Sequence, residues 1–296
     1  MMETKHERIR KDLSIREVTA EAAIPFIMAY HYSRIMPRIS KVYLGIYREE
    51  KLLGVVTLGW GTQPLQTIRK LFYRHELVTK DYLEIGKMCF APEMNGNQYF
   101  GSIVLSLLIK WMKRNTDCLF LYTLSDGIMG KPGYVYQAGN FQYIGRFKTS
   151  VYRDLETGEK IHPRSAKILL AENARLDGVE KRYWLTHDYC EYKGIEKIQG
   201  FMFRYIYPVS KAGERILKSY EEYRCRQPYP KDADLIFEKR VTHGKFERIG
   251  QPTFNMRIFK YQKAGSDKLS AFALKEQQIE AEALSAAGKE GDQVSA

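Results

Sequence analysis

The chain is predicted to fold as an α/β (α+β) protein with a central mixed sheet and flanking helices. Short β-favouring runs alternate with segments of helical periodicity, and polar or glycine-bearing turns separate them. The most apolar run, Leu119-Phe120-Leu121-Tyr122-Thr123-Leu124, has the composition of a strand covered on both faces. It stops at Ser125-Asp126-Gly127, which places a carboxylate at the C-terminal end of a buried strand, where open α/β sheets keep their sites.

Taken in order, residues 1–16 are charged and read as a flexible start. Glu17 to Tyr30 has helix-forming composition interrupted by Pro25 and ends at His31-Tyr32-Ser33. Val42–Tyr47 and Leu52–Trp60 read as two strands joined by the polar turn Arg48-Glu49-Glu50-Lys51, and Glu84–Pro92 as a third that Pro92 ends. The glycine-bearing loop from Asn95 to Ser102 leads into a helix, Ile103–Lys113, and such a loop offers backbone N–H groups to a phosphate or pyrophosphate. After the Leu119 strand, Gly130, Pro132 and Gly133 punctuate a loop before a short helix, Tyr134–Gly139, and a strand, Phe141–Phe147. Asp126 and Tyr136 can therefore face one cleft. Thr149–Asp154 and Lys160–His162 form a predicted hairpin, Pro163–Ala174 a helix with proline at its start, and Gln199–Tyr207 a further strand. These assignments divide the chain into a catalytic domain at 17–162, a basic extension at 163–265 and a disordered Ala-, Glu- and Gln-rich tail at 266–296.

Composition narrows the function classes. The 296 residues are 44% hydrophobic and 13% aromatic, enough for a globular core, and the net charge of +12 favours a polyanionic partner, nucleic acid first. Residues 151–265 carry 23 basic and 16 acidic side chains, with Lys181, Arg182, Arg204 and Tyr205 among interleaved basic and aromatic residues. That pattern fits phosphate contacts and base stacking, and equally a solvated surface. The four cysteines, Cys89, Cys118, Cys190 and Cys225, form no CxxC pair, and no apolar run reaches membrane-spanning length. A reduced cytoplasmic setting without membrane contact is expected. The oligomeric state is left open, a dimer included.

The element order resembles the GCN5-related N-acetyltransferase fold, whose glycine loop holds the coenzyme A pyrophosphate. Gln98-x-x-Gly101-x-Ile103 is similar to that loop's motif in two fixed positions and carries Ile103 where a small residue is expected. His31-Tyr32-Ser33 with Pro37, Gly54-Val55-Val56, Glu84-x-x-Lys87, Ser102, Asp126 and Gly133-x-x-Tyr136-Gln137-Ala138-x-Asn140-Phe141 together look like the Mom family of phage DNA modification proteins. Arg204-Tyr205-Ile206 and Pro228-Tyr229-Pro230-Lys231 resemble elements near the end of that family's domain. The resemblance implies an enzyme of acetyltransferase-like fold, acting in the cytoplasm of a bacterial host. On that resemblance it is expected to act on double-stranded DNA, converting adenine in phage DNA to an N6-carbamoylmethyl derivative and protecting the genome from restriction.

Carried over position by position, the resemblance implies catalytic roles for His31, Tyr32, Asp126 and Tyr136, and coenzyme-binding roles for Lys87, Gly101 and Ser102, with acetyl-coenzyme A as cofactor. Lys87 stands where the family has arginine, keeping the charge and losing a bidentate fork. Read from the residues alone, Asp126 is a general base, a turn cap or a metal ligand, and Tyr136 is core packing or the acid that protonates a leaving thiolate. Adenine N6 is a poor nucleophile, and a carbamoylmethyl product needs a bond to carbon rather than an acyl amide. Either the donor is unusual or a redox-active metal such as ferrous iron takes part, and His31, Tyr32 and Asp126 are chemically able to supply its N and O ligands. Two other functions fit the same residues: an acetyltransferase acting on a protein or small amine, and a non-catalytic DNA-binding protein.

Overall fold

Phe120–Asp126 (β5) lies inside the sheet, as its two-sided apolar composition requires. The computed structural model describes residues 12–261 apart from 34, 38, 62, 95, 98, 164, 165 and 225–227. The preceding strands are β1 (Leu13–Glu17), β2 (Ile39–Arg48), β3 (Lys51–Trp60) and β4 (Tyr82–Phe90). After β5 come β6 (Gln142–Asp154), β7 (Lys160–Ile161), β8 (Ile195–Pro208), β9 (Glu238–Thr242) and β10 (Lys245–Arg248). The spatial order is β1-β2-β3-β4-β5-β8-β6-β7, with β9 pairing on β8 and β10 on β9. Every pairing is antiparallel except that of β4 with β5, which makes the sheet mixed.

Helices cover both faces: α1 (Ala20–Tyr30), α2 (Pro64–Leu71), α3 (Phe100–Asn115), α4 (Tyr134–Ala138), α5 (Lys167–Leu176), α6 (His187–Lys193), α7 (Lys211–Lys218) and α8 (Glu221–Arg224). Alternation along β5 decides what each face buries. Leu121 joins Ile103, Val104 and Leu108 of α3, whereas Phe120 and Tyr122 join Ile68 of α2 and Leu217 of α7. Each such side chain contributes about 1.5–3 kcal/mol. α1 packs Ala23, Ile24 and Ile27 on Val55 and Cys89, and it runs through Pro25 without a break.

Four expectations are corrected. The flexible start stops short of Leu13–Glu17, which pairs with β2, so part of the first sixteen residues is an edge strand. The strand expected at Phe141–Phe147 does not end there. It runs to Asp154, because a register shift between Tyr143 and Arg146, with Gly145 at φ +98°, keeps it on β8. The helix expected from Pro163 begins at Lys167. The boundary at residue 162 does not divide the described chain, because β8, from the supposed extension, inserts between β5 and β6 and supplies hydrogen bonds to both. The tail at 266–296 lies outside the described residues.

One topological feature places the site. β4 and β5 pair only from Tyr82↔Phe120 to Ile85↔Thr123. Beyond that point β4 continues against β3 and β5 against β8, so a cleft opens between Gly86–Phe90 and Leu124–Asp126.

Candidate active site

Asp126 ends β5 at the mouth of this cleft. Its Oδ1 accepts the Ile128 N–H at 3.1 Å and caps the short 3-10 turn Gly127–Met129, while Oδ2 lies 2.7 Å from Lys160 Nζ. The pair is largely covered, at 18% and 12% side-chain exposure, so the contact is less screened than a surface ion pair. Asp126 is thus a cap and also a charged member of a cluster.

His31 follows α1, and its Nδ1 lies 2.9 Å from both the nitrogen and the oxygen of Ser33, which fixes the ring. Burial, then the Lys87 charge, holds the imidazole down to about 3 against the Ser33 contact, with Lys131 adding a smaller push, so His31 is neutral at physiological pH. Tyr32 stacks on His31, with ring centroids 4.4 Å apart, and Lys131 Nζ sits 3.6 Å from the Tyr32 ring centre. Tyr32 keeps 37% of its surface exposed, yet burial of the phenol and then the Asp126 charge raise its pKa. Lys87 reaches across from β4 and donates to the Ser33 carbonyl at 2.9 Å. With 8% of its surface exposed, its ammonium is pushed down to about 7 by burial and then by Lys160.

Tyr136 projects from α4 and tilts against Tyr205 and Phe141, at 5.6 and 5.7 Å between centroids. Burial raises its phenol, opposed by a hydrogen bond with Thr123 and reinforced by Glu84. Glu84 carries a signal that the sequence pattern expressed only as part of a motif. It is the one carboxylate in the apolar strand YLEIGKMCF. Burial lifts it to about 7, against a hydrogen bond from the Gly61 N–H at 3.2 Å. A carboxyl poised near neutral beside a phenol is suited to proton transfer.

The fold therefore brings His31, Tyr32, Lys87, Asp126 and Tyr136 together and adds Glu84, Lys131 and Lys160. Other expected residues lie apart. Gly101 and Ser102 are in the first turn of α3. A Cβ on Gly101 would stand 2.5 Å from Val135 Cγ2, so this glycine serves the close packing of α3 on α4, and the side chain of Ser102 donates to Tyr99 O at 2.9 Å. Gln98 lies outside the described residues. Lys181 is exposed near Tyr183, with Nζ 5.0 Å from the ring centre, whereas Arg182 is ion-paired with Asp177 at 2.8 Å. Arg204 lies over Phe147 at 4.6 Å. Tyr205 is fully buried, bonded to Pro132 O and accepting from Gln137 Nε2 at 3.0 Å, so it cannot stack on a base. Its role is to prop the Gly133 loop under α4, where any Cβ on Gly133 (φ +103°) would strike the Tyr205 ring.

The charge of the cluster does not suit the expected ferrous ion. His31, Tyr32 and Asp126 are neighbours, but the only anion among them is already paired with Lys160, and Lys87 and Lys131 would repel a dication. Among the described residues no group of three or more His, Cys, Asp and Glu side chains could hold a metal. The sixteen-residue helix α3 has no side-chain N-cap, so the backbone N–H groups of its first turn have the polarity that suits a phosphate.

A mixed sheet whose parallel pair parts around a polar, titratable cluster is the architecture of an α/β protein with a cleft site between β4 and β5. A family model described as the Mom protein family matches residues 12–231, and the chain belongs to that family. It is 26% identical over 222 residues to the methylcarbamoylase mom of Escherichia phage Mu, covering 75% of this chain and 85% of that protein. Among solved structures, a dodecameric spermidine N-acetyltransferase from Vibrio cholerae matches 69% of this chain and 98% of its own, at 13% identity and TM-score 0.37. An acetyltransferase from Sphaerobacter thermophilus matches 66% and 93%, at 10% identity and TM-score 0.31. No helix among the described residues is long and apolar enough to cross a membrane.

Proposed function

We propose that the chain is a DNA modification enzyme that places a carbamoylmethyl-type group on adenine N6 of phage DNA and so protects it from restriction. The observation that carries this reading is the convergence of His31, Tyr32, Lys87, Asp126 and Tyr136 on one cleft. These residues are spread from position 31 to position 136, all within the stretch that matches the Mom family model.

The adenine amine must lose a proton as its new bond forms. Glu84, near 7, is a base matched to neutral pH, and the Tyr136 phenol is the adjacent group able to return a proton to what departs. Neutral His31 orients rather than titrates, since its ring is held by Ser33 and its pKa is far below 7. Asp126, fixed by Lys160 and the Ile128 N–H, supplies the negative charge beside Tyr32. Acetyl-coenzyme A would be held at the first turn of α3, near Gly101 and Ser102; transfer of its acetyl group alone would give an N6-acetyl amide, so the methylene–nitrogen bond and the carbamoyl nitrogen of the product call for a further donor. Lys181 and Arg204 belong to the DNA-contacting surface in this reading, with the exposed Tyr183 and Trp184 as stacking partners.

The test is nucleoside analysis. DNA from cells expressing the chain is digested and examined by mass spectrometry for an adenosine of altered mass. Its appearance with the wild-type chain and its absence with a Glu84→Gln, Asp126→Asn double variant is the expected result. An unmodified profile from soluble wild-type protein overturns the proposal.

A further inference from the structure

The cleft holds more positive charge than the reaction groups account for. Lys87, Lys131 and Lys160 converge there from β4, the loop after β5 and β7, and each is close enough to the others for its charge to be felt. Asp126 is the carboxylate in contact with them, and it is engaged by Lys160. Among the described residues neither Lys87 nor Lys131 has a carboxylate at ion-pair distance. Lys87 is more than nine-tenths buried with a peptide carbonyl as its hydrogen-bond acceptor, and Lys131 rests on the face of Tyr32. Gathering like charges under partial desolvation is costly unless an anion arrives to neutralise them. The supports are rigid: Lys87 is on a central strand, Lys160 on β7, and Lys131 follows the turn capped by Asp126.

We propose that Lys87, Lys131 and Lys160 form an oxyanion-binding site that seats a phosphodiester flanking the target nucleotide. This rests on the DNA-modification reading above. With Lys87 taking up its proton as the anion arrives, one phosphodiester would offset charge on Lys87, Lys131 and Lys160 that Asp126 leaves uncompensated. It would also hold the attached nucleotide against the exposed edge of Tyr32 and the His31 ring. The phosphates of a coenzyme offer the same chemistry from another source, and the experiment separates the two.

The full-length chain and its Lys131→Gln variant, altered at an exposed residue, are titrated with duplex DNA across a salt series and with acetyl-coenzyme A by calorimetry. Thermal unfolding is followed with and without inorganic phosphate. The expected result is a log-log salt slope for DNA shallower by about 0.9 in the variant, which corresponds to one fewer neutralised phosphate, with coenzyme affinity unchanged. Stabilisation by inorganic phosphate should diminish as well. A tenfold loss of coenzyme affinity with an unchanged DNA slope overturns the phosphodiester assignment and places a coenzyme phosphate in the site. Unchanged slope, coenzyme affinity and phosphate response together overturn the site itself. Lys87→Met, which removes the buried ammonium and keeps its stem, provides the second variant, with the same outcomes. Nucleoside analysis of the wild-type protein keeps the two readings apart, since absence of modified adenine counts against the enzymatic function and an unchanged salt slope against the site.

Discussion

Lys160 Nζ lies 2.7 Å from Asp126 Oδ2, so the carboxylate at the end of β5 is oriented by a residue 34 positions later on β7. Asp126→Asn keeps the shape and an acceptor for the Ile128 N–H, and it removes the charge that neutralises Lys160. The protein should remain folded, with a stability loss of about 1–3 kcal/mol from the uncompensated ammonium. Adenine modification should fall by roughly two orders of magnitude, measured as modified nucleoside per total adenosine. Full retention of the modified base would reduce Asp126 to a turn cap.

Tyr136→Phe deletes only a hydroxyl that meets Thr123, while the ring contacts with Tyr205 and Phe141 persist. The thermal midpoint is expected to shift by only a few degrees, since one hydrogen bond contributes about 0.5–1.5 kcal/mol. Modification should drop by about 10²-fold or more. If yield and midpoint both stay at wild-type values, the phenol is packing only.

Glu84 gives a pH dependence with a defined sign. Its carboxyl is raised from an ordinary 4.5 to about 7, so between these values the native chain binds a proton that the unfolded chain has released. Its contribution to stability is complete below pH 4.5, declines as pH rises towards 7, and is fully lost above that. Glu84→Gln should abolish this decline, which amounts to at most about 3 kcal/mol. Urea unfolding of both proteins at pH 5 and pH 8 measures the difference. Equal pH dependence in the two would show that Glu84 does not titrate in this range.

Gly101 and Val135 provide a packing test. Gly101→Ala puts a Cβ 2.5 Å from Val135 Cγ2 and should destabilise by about 1–3 kcal/mol, partly offset by the better helix propensity of alanine. Adding Val135→Ala should recover stability. Calorimetry on the double variant then shows whether acetyl-coenzyme A affinity follows packing or stays low, the latter indicating that the glycine backbone itself approaches the pyrophosphate.

Tyr205→Phe should leave duplex DNA affinity within about twofold and cost about 1–2 kcal/mol of stability, because the hydroxyl ties Pro132 and Gln137 inside the protein. A large loss of affinity with unchanged stability would return Tyr205 to the DNA-contacting surface.

The local sequence determined the elements around the site. A continuous apolar run made Phe120–Asp126 a buried strand with Asp126 at its end, the glycine-bearing loop led into α3, and the short helix carrying Tyr136 was bounded by Gly133 and Gly139. Each of these signals lies within a few residues and reflects backbone preference or local burial, which a linear pattern can express. Pairing between distant strands leaves no such mark. β8 inserts between β5 and β6, and that insertion buried Tyr205 among apolar neighbours and left Arg204 only partly covered. The pairing of β7 with β6 set Lys160 against Asp126, and the parting of β4 from β5 opened the cleft into which Lys87 and Lys131 converge. Sequence placed a carboxylate at a strand end. Long-range hydrogen bonding between strands decided which charges surround it, because those contacts form only when segments far apart in the chain share one sheet.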